Sequence, residues 1–571
     1  MSTMQAFAET CEGVASTTKK LQKIAYVADY FNSTPVDSAA VSSVFFSGRP
    51  FAVWEESTLN IGGALLWRIV EELSGKSGDE LSSAYRRHGD LGAVAGEVLT
   101  AARQIDLSVV DLQNRFREIA SARGPVAKSE IVRDLLSRVS PLEAKYIIKI
   151  MTGDLRIGLK ESLVEDAIAR AYGARLKEVQ RANMLLGDIG ETLKLAAAGK
   201  LAEAKMRLFH PLGFMLASPA ATAEEALSYF EDALVEDKYD GIRAQAHCSA
   251  DEVRLFSRTR DNITESFPEL PGALLGMPQD VILDGEIVAW SYLEDETGGP
   301  GRAQPFSALQ QRLGRKKVSE KLMQQVPVAY LVFDILYIGQ ELLLDRPLSE
   351  RSRILDSVLE NVRRQSRMQQ AGQATFDFPA EVPGHVTRVL RAPVSFASAA
   401  AELEQLFEAA QARGNEGLMI KDPQSSYTPG RRGKSWLKLK RELATLDVVV
   451  TAVEYGHGKR IGVLSDYTFA VWDGERLVNI GKAYSGLTDL EISEMTRWFI
   501  EHTLEDQGMR LLVEPKIVLE VAFNNMMKSD RHNSGYALRF PRIVRLRPDK
   551  LPEDADRIER VRQIFEAQQK S

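Results

Sequence analysis

The chain has 571 residues, 44% apolar and 26% charged, which is the balance of a globular protein with core-forming material for roughly two to four domains. A formal net charge of −7 gives no whole-chain argument for an anionic partner, although the field at a binding face is what decides that. Two cysteines, Cys11 and Cys248, exclude a four-cysteine zinc module and supply no disulfide framework, so a reducing intracellular compartment is expected.

The start, MSTMQAFAETCEG, has neither a basic n-region nor an apolar h-region, and no later apolar run is long enough to span a bilayer. The expectation is therefore no signal peptide, no membrane contact and a cytoplasmic location. Residues 1 to about 205 carry helical apolar spacing without strand-like alternation. Ser16-Thr17-Thr18 ahead of Leu21, Ile24, Ala25, Val27 and Ala28 predicts a capped helix, and Leu65–Leu73, Glu143–Met151, Glu161–Ala171 and Leu193–Ala204 predict others. Gly153-Asp154-Leu155-Arg156-Ile157-Gly158 breaks the pattern. A cation beside a helix start suits a phosphate contact, but an interhelical turn with a solvated Arg156 explains the same residues. Phe209-His210-Pro211-Leu212-Gly213 reads as a boundary.

From about 215 to 440 the period changes from helical to alternating. Ile242, Ala244 and Ala246 alternate with Arg243, Gln245 and His247, and Val253, Leu255 and Ser257 with Arg254, Phe256 and Arg258, as in half-buried strands. Val281–Trp290 and Val328–Ile338 are stronger strand signals, the second a continuous run suited to burial on both faces. Tyr292–Gln304 and the Gln-rich Gln365–Gln373 read as loops, and Leu348–Val362 and Ser398–Ala412 as helices. After Arg441 come short strands at Asp447–Glu454, Tyr467–Trp472, Leu477–Ile480 and Lys516–Phe523, with one helix at Asp489–Glu501. That order fits a small barrel of oligonucleotide-binding (OB) type.

The stretch LVEDKYDGIRAQAH presents Lys238 two residues before an Asp-Gly turn, at the end of one strand and the start of another. An amine can attack phosphorus if it is neutral at that moment, and neighbouring cations lower a lysine pKa. A plain hairpin turn is the alternative, and the Lys-x-Asp-Gly pattern arises by chance in roughly one chain of this length in ten. Further along, Asp284 and Glu286 flank Gly285 in a strand, where an unpaired acid would be costly. Phe333 could offer a flat face to a base. Lys438 and Lys440 point to one side of a strand whose other side carries Leu437 and Leu439; either an anion lies between the two ammoniums or they guard a solvated edge.

Taken in order, EDKYDGIR, FSRT, LDGEIV, LVFDILY, NEGLMIK, WLKLKR and LRFPRIVRLRPDK resemble the motif series of the ATP-dependent DNA ligases among the covalent nucleotidyltransferases. The upstream KYIIKIMTGDLRIGLKESLVEDAIARAY resembles the helical DNA-binding domain of larger members, and EYGHGKRIGVLSDYTFAVWDGE looks like the barrel of the archaeal and bacterial branch. The resemblance implies a multidomain chain: an all-α DNA-binding domain over residues 1–207, an α+β adenylation domain with antiparallel sheets over 208–441 and an OB-fold β-barrel over 442–571. It casts Lys238 as the nucleophile that takes AMP, with Glu236 and Phe333 at the adenine and Arg243 near the nucleotide. It places Glu286 at the ribose or metal, Arg258 at a phosphate or the ribose, and Glu416 at the metal. Lys421, Lys438 and Lys440 would grip the α-phosphate, and Arg539, Arg542, Asp549 and Lys550 would orient the leaving pyrophosphate.

The same resemblance implies a ligase that uses ATP and Mg²⁺ to seal nicked double-stranded DNA, as a monomer, with any sliding-clamp or repair partner unspecified. An mRNA-capping guanylyltransferase shares the lysine chemistry, but the long helical segment and the Phe-Pro-Arg ending favour the ligase. An RNA ligase ranks lower because the upstream segment suits a duplex nick. An NAD-dependent ligase would need the missing cysteines. A nucleic-acid-binding protein with a dead transferase core would not keep every polar motif residue.

Overall fold

The computed structural model describes residues 3–570 apart from 56, 101–104, 276, 278, 293–300, 313–317, 374–387, 441–443 and 458–459. The chain divides into two compact units. One takes Met1–Asn183, Asp188–Ala204 and Glu442–Lys570; the other takes Met184–Gly187 and Lys205–Arg441. Among the described residues no helix is long and apolar enough to cross a membrane.

The first unit holds two separate cores. Its amino-terminal part is helical from Met4–Ala15 to Ile189–Ala197, and Phe7, Tyr30, Phe31, Phe45, Phe46 and Phe116 meet there largely edge to face. Local sequence explains the boundaries. Pro141 opens the helix Pro141–Met151, where the Ser140 hydroxyl accepts from the Glu143 N–H at 3.2 Å and the Glu143 carboxylate accepts from the Ser140 N–H at 2.8 Å. Helix Lys20–Ser33 departs from expectation, since its N-cap is Lys19 and no side chain caps it. Thr17 is turned instead to Gln22, to which it donates at 2.5 Å. The break at 153–158 is present, with Gly153, Arg156 and Gly158 all at positive φ. Arg156 is exposed there, and its guanidinium donates to the Gly89 carbonyl. Helix Glu161–Ala171 comes next as expected, and the last expected helix is shorter, Ile189–Ala197, with a single 3₁₀ turn at Leu201–Glu203.

The second unit carries two sheets. Its strands are β1 (Leu216–Ala220), β2 (Ala233–Asp237), β3 (Ile242–Cys248), β4 (Val253–Ser257), β5 (Val281–Ser291), β6 (Arg302–Ala303), β7 (Val328–Ile338), β8 (Glu341–Leu342), β9 (Val389–Arg391), β10 (Ser395–Ala397), β11 (Leu418–Lys421) and β12 (Arg432–Leu439). One sheet runs β1-β12-β11-β2-β10; the other runs β4-β3-β5-β7-β8, with β6 on β5 and β9 on β7. Pairing is antiparallel except for β1 with β12 and β7 with β9. The continuous apolar run of β7 is buried between β5 and β9, as its composition predicts. Asp334 interrupts that run and is fully buried, where Arg351 meets it with two bonds of 2.8 and 2.9 Å. The Gln-rich stretch read as a loop is the end of the helix Leu348–Gln373. Glutamine, arginine and methionine are good helix formers, and no proline interrupts the run. Most of the loop expected at Tyr292–Gln304 and the linker at Arg441 lie outside the described residues.

In the first unit, residues after 443 form the strand-rich part expected there. Its strands are β13 (Ala444–Tyr455), β14 (Leu464–Asp473), β15 (Arg476–Ala483), β16 (Thr503–Asp506), β17 (Arg510–Val513), β18 (Val518–Phe523), β19 (Asn525–Lys528), β20 (Tyr536–Arg539) and β21 (Arg542–Leu546). The long strand β13 pairs with β14, β17 and β18, shifting register near Val450 and Glu454, and helix Asp489–Glu501 lies against β14. Its own core includes Leu446, Val448, Phe469, Phe499 and Val521.

Candidate active site

Lys238 lies one residue beyond β2 and extends its ladder with β11. Its N–H donates to the Gly417 carbonyl at 2.8 Å, and the Glu416 N–H donates to the Lys238 carbonyl at 2.9 Å. Glycines make this seat possible. A Cβ on Gly241 would stand 2.3 Å from the Ile287 carbonyl oxygen, and one on Gly417, at φ +141°, would stand 2.3 Å from that of Leu439. The turn after Lys238 is therefore pressed against β5, and the residue after Glu416 against β12.

The lysine side chain is about one-fifth exposed and forms an ion pair with Glu416. Lys438, on β12 opposite Met419 of β11, is held below the ordinary lysine pKa, first by burial and then by Lys440, Lys238, Arg432 and Arg258. Lys238, Lys440 and Arg258 thus all act on Lys438, Arg258 from the turn that follows β4, whereas Lys421 lies in a separate cluster. Glu286 stands opposite Arg243 in the β3–β5 register. Loss of water pushes its carboxyl up to about 8, opposed by Lys238 and Arg243 and reinforced by Asp240 and Asp284.

A second cluster lies on the same strands. Lys421 is buried, pairs with Glu236, and sets its ammonium 4.4 Å from the ring centres of both Phe333 and Trp436. Burial outweighs Glu236 and holds Lys421 below the ordinary lysine value. Among the described residues, one carboxylate oxygen of Glu236 is buried without a hydrogen-bond partner, and Arg391 approaches that oxygen to 3.5 Å. An acceptor left open beside two aromatic faces can take an N–H donor from a flat ligand.

Arg243 is committed elsewhere. Its guanidinium clasps Asp284 at 3.1 and 2.7 Å, donates to the Met215 carbonyl at 2.5 Å, and lies over Phe214, Phe333 and Trp436. Tyr427 adds its hydroxyl to the same carboxylate at 2.7 Å. Arg243 thus forms part of the wall, and Asp284 has the partner that its burial demands. Sequence reasoning missed Trp436, although it stands within the WLKLKR motif, and also Tyr427 and Arg391, which topology alone brings in.

Arg539 and Arg542 belong to the other compact unit, at the end of β20 and the start of β21. Between them Phe540 is exposed at φ +52°, with the Arg539 guanidinium 5.0 Å from its ring centre. Asp549 accepts from Arg547, and Lys550 donates to Asp447. Among the described residues no group of three or more His, Cys, Asp or Glu side chains is placed to cage a metal ion.

The family model described as "ATP dependent DNA ligase domain" matches residues 214–440, that of the "DNA ligase N terminus" matches 3–169, and that of the "ATP dependent DNA ligase C terminal region" matches 460–550. A "Probable DNA ligase" of Koribacter versatilis is 58% identical over 568 residues, covering 99% of this chain and 97% of its own. A "DNA ligase" of Methanopyrus kandleri is 35% identical, covering 98% of each. The solved structure "Pmar-Lig_PreS3" has the same fold at a TM-score of 0.62 and 16% identity, covering 95% of this chain and 99% of that one. The chain belongs to the ATP-dependent DNA ligases.

Proposed function

We propose that the chain seals nicks in duplex DNA through a covalent lysyl-AMP intermediate on Lys238. The Lys238 amine attacks the α-phosphorus of ATP, so that an N–P bond forms and the P–O bond to pyrophosphate breaks. AMP then passes to the 5′-phosphate at the nick, which frees the lysine and leaves an activated anhydride. The adjacent 3′-hydroxyl attacks that phosphate, AMP leaves, and the strand is continuous. One observation carries this reading: Lys238 pairs with Glu416 and lies within electrostatic reach of Lys438, on which Lys440 and Arg258 also act.

Each residue has a task in this scheme. Glu416 holds the Lys238 side chain in place before ATP arrives. Lys438, Lys440 and Arg258 offset charge on the pentavalent phosphorus. Glu236 presents its open carboxylate oxygen to the adenine amino group, with Phe333 and Trp436 as walls and Lys421 joining the pocket to the phosphate side. Arg243, through Asp284, stiffens the wall beside Glu286. Arg539, Arg542 and Lys550 act on the leaving pyrophosphate.

Mg²⁺ fits the donors present. It is commonly held by one or two carboxylates together with substrate phosphates, and Glu416 and Glu286 supply those carboxylates beside the phosphate-binding lysines. The ion would offset charge on the phosphates during transfer.

The helical segment 1–207 and the strand-rich segment 442–571 would contact the duplex on its phosphates, with 208–441 as the adenylation domain between them. Such an enzyme acts as a monomer in the cytoplasm, in replication, repair or recombination. Mass spectrometry after incubation with ATP, GTP or NAD tests the reading. AMP on Lys238 from ATP is expected; a GMP adduct alone would refute the ligase scheme, and sealing by Lys238→Ala would refute the nucleophile.

A further inference from the structure

Asp447, near the start of β13, is a node in the strand-rich domain that the proposed chemistry leaves unused. Its carboxylate accepts from the Arg547 Nη1 at 2.8 and 3.1 Å and from the Lys550 Nζ at 2.6 Å. Its own backbone is locked from the other side: its N–H donates to the Asp556 carboxylate and its carbonyl accepts from the Asp556 N–H, both at 2.8 Å. Arg547 is also claimed by Asp549, through its Nε and Nη2, at 3.0 and 2.8 Å. Glu520 stands 3.8 Å from Arg547.

These contacts divide the work within the terminal motif. Arg547 is about 13% exposed and is clamped between two carboxylates, which makes it a strut. Lys550 is about 30% exposed and gives one of its three N–H donors to Asp447. A flexible lysine loses much rotamer freedom when it grips an anion, and a fixed carboxylate removes that freedom in advance. We propose that Asp447 is a positioning residue which holds the Lys550 ammonium ready for the leaving pyrophosphate, with Arg547 bracing the pair. This rests on the lysyl-AMP reading and deepens it.

The two chemical stages separate the outcomes, because pyrophosphate leaves only in the first. With the full chain, Lys238 adenylation from ATP is measured beside sealing of a nick that already carries a 5′-AMP. Detection of the lysyl-AMP adduct on the unaltered protein comes first, so a failure of the underlying scheme is recognised separately. Asp447→Asn should slow adenylation on the order of 10²-fold, as expected for a lost charge-positioning contact. It should leave sealing of the pre-adenylated nick within about twofold. Lys550→Ala should reproduce that split, and the two changes together should cost little more than either alone. Asp447→Glu, which keeps the charge, should retain most of the first step. Equal loss in both stages with a lowered Tm would make Asp447 merely structural, and an unchanged adenylation rate would remove it from the reaction; either result overturns the proposal.

Discussion

Lys238 and Glu416 are joined twice, once by the Glu416 N–H donating to the Lys238 carbonyl at 2.9 Å and once by the ion pair of their side chains. The backbone bond fixes the spacing of the two strands, which starts both side chains within reach of each other. A lysine held this way is pre-placed for attack but still bound to an anion. The same carboxylate that steadies it is the one assigned to Mg²⁺.

Glu416→Gln separates these roles. The amide keeps the shape and the backbone bond but loses the charge. Adenylation of Lys238 should fall on the order of 10²-fold or more, and the Mg²⁺ concentration for half-maximal rate should rise. A rate titration against Mg²⁺ measures both effects. An unchanged Mg²⁺ requirement would remove Glu416 from the metal.

A second expectation concerns stability against pH. His247 is fully buried and its Nδ1 accepts from the Phe209 N–H at 3.0 Å, so the ring must be neutral. Burial, then His210 and Arg254, depress its pKa to about 3. Below the ordinary histidine value the unfolded chain therefore binds a proton that the folded one refuses, and stability falls as pH drops from about 6.5 towards 3. At pH 5 the loss is about 2 kcal/mol. Thermal melts of the protein and of His247→Gln, at about pH 7.5 and pH 5, should show the smaller acid shift in the variant. Equal shifts would contradict the assignment.

The Glu236–Lys421 pair allows a mutant cycle. Lys421→Met leaves the buried Glu236 without its main cation and should cost about 3 kcal/mol. Adding Glu236→Gln should recover part of that stability, since the uncompensated charge is gone, without recovering activity. Unfolding by denaturant, followed by tryptophan fluorescence, measures the first effect. Additive losses would mean that the two groups do not act as a pair.

Local signals made much of this legible. Alternation locates β3 and β4, the apolar run locates β7, and the rule that a buried acid needs a partner applies to the Asp284-Gly285-Glu286 stretch, where Arg243 clasps Asp284. The motif points Arg243 towards the nucleotide, and the structure adds that Asp284 holds its guanidinium over Phe333 and Trp436. Gln365–Gln373 reads as a loop by composition, whereas the Gln, Arg, Met and Ala that dominate it favour a helix. Arg391 and Asp447 carried no signal, because each matters only through residues that the topology brings from far along the chain.

The central claim is that Lys238 is the residue that carries AMP. Its most direct test is peptide mapping by mass spectrometry after incubation with ATP and Mg²⁺. The account predicts a single AMP adduct, on the peptide containing Lys238, which disappears on adding nicked DNA as the nick is sealed. An adduct on another residue, or sealing with no adduct at Lys238, would contradict it.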